Sequence, residues 1–295
     1  MSCYASLAQA RAEIRVEADD TSGDGYMRRA LEHVSARIDQ IVGFSFEPQL
    51  ETRTYDALGP HIEDLRNLMH LDGPLLALTS LTVDGEVIPD GEVMRLPLRP
   101  EYGPSPYGSL GYTQASGRSF ARAVTGDWRG AIQVDGLWGY RHPRYTDAWE
   151  DSLDALADDL TASDRSLSVD DADGETLDGE TGRFSPGQLL RLDDELLRVL
   201  AVDSETDTVR VRRGVNGTEA AAHTSGTAID VWIPDPVVNR AAIRWAALLY
   251  ARRGAFEEIQ IDGVVRVMFP KDAPPETTNA LEPYTGLFDE PLLAV

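Results

Sequence analysis

An almost wholly apolar helical segment near residue 240 places the strongest constraint on how this chain can fold. The segment starts favourably at Asp235–Pro236, an N-cap carboxylate followed by proline at the first helical position, and extends over about 235–253. Between Ala241 and Ala251 the single charged side chain is Arg244. A helix that is apolar nearly all round must be covered on most sides. We therefore expect it to pack against other helices and against a neighbouring subunit.

Two further helices are predicted near the N-terminus. Residues 6–17 place three apolar side chains on one face at helical spacing. Residues 24–42 repeat apolar side chains at steps of four, three, four and three, and Gly43 is a suitable C-terminal stop. The two stripes consist of Leu7, Ala10 and Ile14 in the first helix, and of Met27, Leu31, Val34, Ile38 and Ile41 in the second.

After Gly43 the apolar period changes from helical to extended. Residues 44–55 contain two extended segments, and residues 131–138 form another strand. Residues 77–88 are a hairpin, because Asp84–Gly85 separates two β-prone runs. Residues 99–118 are rich in Gly, Pro, Ser and Tyr, which predicts a surface loop.

The second half of the chain contains a separate β-rich stretch. The acidic residues 147–165 indicate a helical linker or boundary. Beyond them, four short strands predict a small barrel or sandwich; they cover 188–192, 195–202, 208–213 and 227–233. Asn216-Gly217-Thr218 is interpreted as a turn.

The predicted fold class is α+β. A helical-bundle body with β-hairpins, discontinuous over 1–150 and 234–254, would carry an inserted all-β module at 165–233. Residues 255–295 would form an extended C-terminal arm.

The charge of the chain argues against ordinary DNA binding. Fifty acidic side chains against 27 basic ones give a net charge of −23, and Lys271 is the only lysine. A protein that clamps DNA needs a basic stripe to displace counterions. Two explanations of the acidity stay open. It could reflect solubility at high local concentration or a halophilic or high-GC host, or it could form a wall past which DNA slides without binding.

The composition also favours a protein made in a reducing cytoplasm. Cys3 is the only cysteine, which excludes an intramolecular disulfide. No run approaches the roughly 18–20 apolar residues that span a bilayer. The N-terminal sequence lacks the features of a signal peptide, so no membrane association is expected.

No catalytic motif is visible in the sequence. There is no nucleophile elbow, Walker A sequence or dinucleotide fingerprint, and the five histidines form no HxH or HxxxH pair. We therefore expect no catalytic residues, no cofactor and no enzymatic activity. One weak calcium candidate aligns Asp171, Asp173 and Glu180 with ligand positions of a calcium loop, although Val169 occupies the first position. An acidic hairpin loop is the simpler interpretation.

Four segments carry a family resemblance: YASLAQARAEI, YMRRALEHVSARIDQIVG, LDGPLLALTSLTVDG and WRGAIQVDGLWGY. Together they resemble the head–tail connector family of tailed phages, also called adaptor or head-completion proteins, found in siphophages, prophages and gene transfer agents. The helix at 235–253 is similar to the family's final bundle helix, and RGVNGTEAAAH resembles a segment of phage structural proteins. These are patterns of packing and turns, not catalytic signatures. Many members are about half this length, which leaves the β module unexplained.

The resemblance implies a structural virion protein at the head–tail junction, made in the bacterial cytoplasm. Members form rings, commonly of twelve subunits, beneath the portal protein, complete the head and provide a platform for a tail-side connector or stopper protein. DNA would pass through the channel during ejection without specific binding. The helix residues expected to pack the ring are Val238, Ala241, Trp245, Leu248 and Leu249; those expected to contact the portal or a neighbour are Val264, Val265, Val267, Met268 and Phe269.

Two other functions stay open. The β module could serve a virion decoration or host-surface binding protein, which exposed aromatics or a sugar-binding cleft would favour; the module offers only Phe184 and Trp232 as large aromatics. An acidic hydrolase would require a pocket of converging carboxylates with shifted pKa values.

Overall fold

The computed structural model describes residues 3–17, 20–63, 66–97, 106–120, 126–141, 147–177, 179, 182–252 and 273–288, and the backbone of 257–261 and 264–268. Its helices are α1 (Leu7–Ile14), α2 (Asp24–Val42), α3 (Pro236–Ala251) and α4 (Pro275–Leu281). Its strands are β1 (Gln49–Tyr55), β2 (Ile62–Glu63), β3 (Leu68–Val83), β4 (Glu86–Val87), β5 (Val93–Pro97), β6 (Tyr107–Tyr112), β7 (Ile132–Trp138), β8 (Trp149–Ala155), β9 (Ser166–Ser168), β10 (Leu189–Leu192), β11 (Glu195–Asp203), β12 (Thr208–Arg212), β13 (Ala228–Trp232), β14 (Glu257–Ile261) and β15 (Val264–Met268).

The predicted helical-bundle body is wrong, because the described chain is mostly β. Thirteen of its strands form two antiparallel sheets, and its four helices are 7 to 19 residues long. Helices α1, α2 and α3 form where they were expected, whereas α4 falls in the predicted extended arm. The helices make up one layer rather than the body. Much of the expected body is instead a sheet with a core of its own, built from described residues between 49 and 138.

The first sheet is organised around the 16-residue strand β3. Its second half pairs with β7 and its first half with β6, which gives the order β1-β7-β3-β6-β5, with β2 and β4 also on β3. The predicted hairpin at Asp84–Gly85 is confirmed, since both residues have positive φ as a two-residue turn requires. The predicted loop 99–118 is wrong in part: Tyr107–Tyr112 is strand β6, stabilised by pairing with β3 and β5 despite its glycines.

The second sheet closes into a six-stranded barrel. Its order is β8-β13-β10-β11-β12-β9, and the Ala157 amide donates to the Ser168 carbonyl at 2.9 Å, which joins the last strand to the first. The barrel interior is apolar, with Leu190, Leu197 and Val209 fully buried. The four predicted strands of the module are confirmed. Of the predicted barrel and sandwich, the barrel is the form observed.

The predicted helical linker at 147–165 is wrong, because Trp149–Ala155 is strand β8 of this barrel. Its burial alternates with a period of two, and Ser152 and Asp154 are the buried residues. Asp154 accepts hydrogen bonds from the amides of Asp170 and Asp171 and from Arg183 Nη1 at 3.0 Å. A tertiary partner therefore makes burial of this carboxylate possible, which local sequence cannot show.

The helical layer packs on the outside of the barrel. The predicted stripe of α2 is confirmed, with Met27, Leu31, Val34 and Ile38 buried and Ile41 partly buried. The same apolar cluster contains Leu189, Leu196 and Trp232, which come from barrel strands β10, β11 and β13. Within the described residues, no helix is both long enough and apolar enough to span a membrane.

Candidate functional site

The apolar helix α3, expected to pack between ring subunits, is largely covered by its own chain. Val238, Ala241 and Trp245 are 0, 5 and 3 % exposed, because α1, α2 and α4 lie against them. Leu248 and Leu249 are half-buried. The expected packing of this helix against other helices is therefore observed, and the first three side chains are not available to a neighbour.

The predicted C-terminal arm divides into a hairpin and a segment that returns to the core. Leu281 and Tyr284 are buried in the helical layer, and the Phe288 ring lies 5.4 Å from that of Phe44. The Tyr284 hydroxyl donates to Asp235 Oδ1 at 2.9 Å, the same oxygen that caps the first turn of α3. The chain therefore leaves the helical layer after α3, forms β14 and β15, and is anchored again by α4.

The residues predicted to contact the portal or a neighbour fall on this hairpin. Val264, Val265, Val267 and Met268 belong to β15, whereas Phe269 lies outside the described residues. The hairpin pairs only with itself among the described strands, in a register that extends from Ile261–Val264 to Glu257–Met268. The structure places the first four of these residues on one strand, and their contact with a partner stays a prediction.

A buried ion pair joins the first sheet to the barrel. Glu47, just before β1, receives two hydrogen bonds from Arg198 on β11, at 2.6 and 2.5 Å. Their side chains are 1 and 10 % exposed. Burial lowers the pKa of Arg198, but the Glu47 carboxylate outweighs it and raises that pKa above its ordinary value. The pair is charged and largely shielded from water, so it fixes the two β units against each other.

The turn at Asn216–Gly217 completes this junction. Asn216 donates to Glu47 Oε2 at 3.0 Å and to the Pro48 carbonyl at 2.8 Å, and its own carbonyl accepts from the Leu50 amide at 2.8 Å. Gly217 has φ +85°, and a Cβ there would lie 1.9 Å from the Leu50 carbonyl oxygen. The Arg213–His223 segment, which resembles phage structural proteins, therefore carries the turn that holds the barrel against the first sheet.

The same segment is organised by a buried carboxylate, Glu195. It accepts from Arg213 Nε and Nη2 at 2.6 Å each, and from the amides of Gly214 and Ala221 at 3.0 Å. Burial alone would raise the pKa of Glu195, but these hydrogen bonds outweigh it and lower that pKa to about 2. His223 lies against it, with Nε2 2.9 Å from Glu195 and Nδ1 2.8 Å from Asp193. Residues 213–223 are thus folded around one ionised side chain.

The calcium candidate gains no support from the described part of the loop. Asp171 and Asp173 are exposed, and Glu180 lies outside the described residues. Asp171 approaches Arg183 at 3.9 Å, and among the described residues no cluster of three or more His, Cys, Asp or Glu could hold a metal ion.

A cleft of about 830 Å³ lies between α1 and the barrel. Two aromatic residues border it, Tyr4 and Trp232, and they are only 0 and 4 % exposed. Phe184, the other large aromatic of the module, is 3 % exposed and packs inside the barrel. The module's two large aromatics therefore offer no exposed platform for a sugar.

Sequence reasoning missed the residues that fix the module, above all Glu47, Arg198, Glu195 and His223. The members of these contacts lie 151 and 28 residues apart in the chain, and no local pattern pairs them. The Arg213–His223 segment was a partial signal, because it resembles phage structural proteins, but its local sequence does not show that it folds around Glu195.

Comparison with known proteins does not assign the chain to a family. No protein-family model matches it, and no curated protein sequence matches it significantly.

Proposed function

We propose that this chain is a non-enzymatic structural protein of a tailed-phage particle, a ring subunit at the head–tail junction that docks beneath the portal protein. The resemblance of its N-terminal segments and of its third helix to phage connectors supports this proposal. Since α3 is covered within the subunit, contacts between subunits must come chiefly from other surfaces.

The observation that carries the proposal is the hairpin β14–β15. It stands between two segments anchored in the helical layer, and among the described strands it pairs with no sheet of its own chain. An isolated two-stranded hairpin is marginally stable in water, so it is expected to find a partner surface. Such an arm suits a subunit whose task is assembly.

The ion-paired connection between the two β units also fits a ring subunit that is under mechanical load. The Glu47–Arg198 pair and the Asn216 turn couple the barrel to the start of the first sheet. A subunit that transmits contacts from a portal to a tail must keep its two ends in register.

The charge of the chain fits passage of DNA. With 50 acidic and 27 basic side chains, a channel wall built from this subunit repels the phosphate backbone. DNA then slides past the wall without the counterion release that drives binding.

Native mass spectrometry of the purified full-length chain tests the proposal. We expect a single closed oligomer, with twelve copies as the number that the family resemblance implies. A chain that stays at its monomer mass of 32.3 kDa at every accessible concentration, and that also fails to bind the portal protein, contradicts the proposal.

A further inference from the structure

Among the described strands, the outer backbone edge of β15 pairs with no other strand and can join a sheet. Ile261 and Val264 are register partners separated by two residues in the sequence. In a hairpin with a two-residue connection, the flanking pair exchanges both of its hydrogen bonds. The alternate residues Val265 and Val267 therefore direct their amide and carbonyl groups away from β14.

The first sheet has a matching open edge at β1. This strand lies at the end of the sheet order, and its seven-residue pairing with β7 has no register shift. The Leu50 amide donates away from β7, to the Asn216 carbonyl. By alternation the amides of Thr52 and Thr54 also point outward, and both residues are exposed.

Within the described residues, the other edges of the first sheet and of the barrel are short or protected; β2 and β4 are only two residues long. β5, at the opposite end of the first sheet, has a register shift at its end and terminates in Pro97. Proline and irregular pairing are the devices by which proteins block edge-to-edge association. The second sheet closes into a barrel and so has no free edge along the Ala157–Ser168 contact. Strand β1 carries no proline and no bulge, so among the described edges of these two sheets it is the one left open for pairing.

We propose that β15 of one copy adds to β1 of a second copy as an eighth strand of its first sheet. The donor and the acceptor are different surfaces, so the contact is head-to-tail, and repeated head-to-tail contacts close into a ring when the rotation permits. Main-chain hydrogen bonds at Thr52, Thr54, Val265 and Val267 supply the contact, as in β-strand addition. The inference rests on the proposed assembly function and names the contact between its subunits.

Proline substitutions on either edge test the inference in the full-length protein. Thr54→Pro removes an outward amide of the acceptor, and Val267→Pro removes one of the donor, while neither removes a bond within its own sheet. Thr54→Ala and Val267→Ala are the matched controls, since they change the side chain and keep the amide. Light scattering after size-exclusion chromatography, over a range of concentrations, measures subunit association.

We expect each proline variant to weaken association by about tenfold or more, the effect of losing one or two ladder hydrogen bonds, with the alanine variants near wild type. Hydrogen exchange gives a second reading: Thr54→Pro should remove protection of the Val265 and Val267 amides in the assembled protein. Val267→Pro keeps the test valid if Thr54→Pro disturbs folding, because among the described strands β15 pairs only with β14.

The possible results separate this inference from the ring proposal. Proline variants that assemble like wild type, in a protein that does form rings, overturn the strand addition and leave the ring proposal standing. A wild-type chain that remains monomeric overturns both.

Discussion

Arg198→Met removes one partner of the buried junction and leaves the carboxylate of Glu47 largely shielded from water. Glu47 then retains Asn216 as a side-chain donor at 3.0 Å, with the Cys3 amide at 3.4 Å. Breaking a buried ion pair on one side costs about 3–5 kcal/mol, because an uncompensated charge stays inside. For a domain of this size that corresponds to a fall in Tm of roughly 6–10 °C.

Urea denaturation followed by tryptophan fluorescence measures this cost. The matched control is Arg212→Met, the same exchange at the register partner of Arg198 on β12, where the side chain is exposed. We expect the control to stay within about 0.5 kcal/mol of wild type. The double variant Glu47→Gln/Arg198→Met should recover part of the loss, because it removes both buried charges. An Arg198→Met effect below about 1 kcal/mol would refute the claim that this pair holds the two β units together.

Three further perturbations follow from the same contacts. The pKa of Glu195 is depressed in the folded state, so its ionised carboxylate stabilises the fold by about 3 kcal/mol above pH 4.5, and this stabilisation is lost as the pH falls toward 2. Urea midpoints between pH 5 and pH 2 should therefore fall more steeply for wild type than for Glu195→Gln. Parallel curves would count against a stabilising role for the ionised Glu195. Gly217→Ala should lower the unfolding free energy by more than about 2 kcal/mol. Gly85 also has positive φ but has open space around its Cβ, so Gly85→Ala should lower the unfolding free energy by only about 1 kcal/mol. Equal losses would show that the Leu50 contact is unimportant. Leu281→Ala should lower the unfolding free energy by about 2–5 kcal/mol in thermal or urea unfolding. Replacing residues 255–270 by a short Gly-Ser linker should leave stability near wild type and abolish assembly. The reverse result would contradict the division of the C-terminal segment into an assembly hairpin and a buried anchor.

Local pattern was sufficient for α1, α2, α3 and most strands. The α2 stripe and the Asp235 cap of α3 depend on spacing within a few residues, and Asp84–Gly85 specifies its own turn. These features depend on neighbours in sequence, so they can be predicted from the sequence. The fold class could not, because the number of strands that gather into each sheet depends on pairings far apart in the chain.

The errors have physical causes of the same kind. Residues 147–165 combine leucine and aspartate at spacings that suit a helix, yet Asp154 is buried as a strand residue by Arg183, 29 residues away. The return of the C-terminal segment depends on Leu281 and Tyr284, two isolated apolar positions whose partners lie in α3 and in the residues after α2. The junction of Glu47 with Arg198 joins positions 151 residues apart.

The central claim is that this chain is a ring subunit beneath the portal. Negative-stain electron microscopy of the purified chain, mixed with the portal protein encoded in the same genome, tests it most directly. The account predicts a second ring, coaxial with the portal and absent when the hairpin of residues 257–268 is removed. Portal rings that remain bare beside free monomers of the intact chain would contradict it.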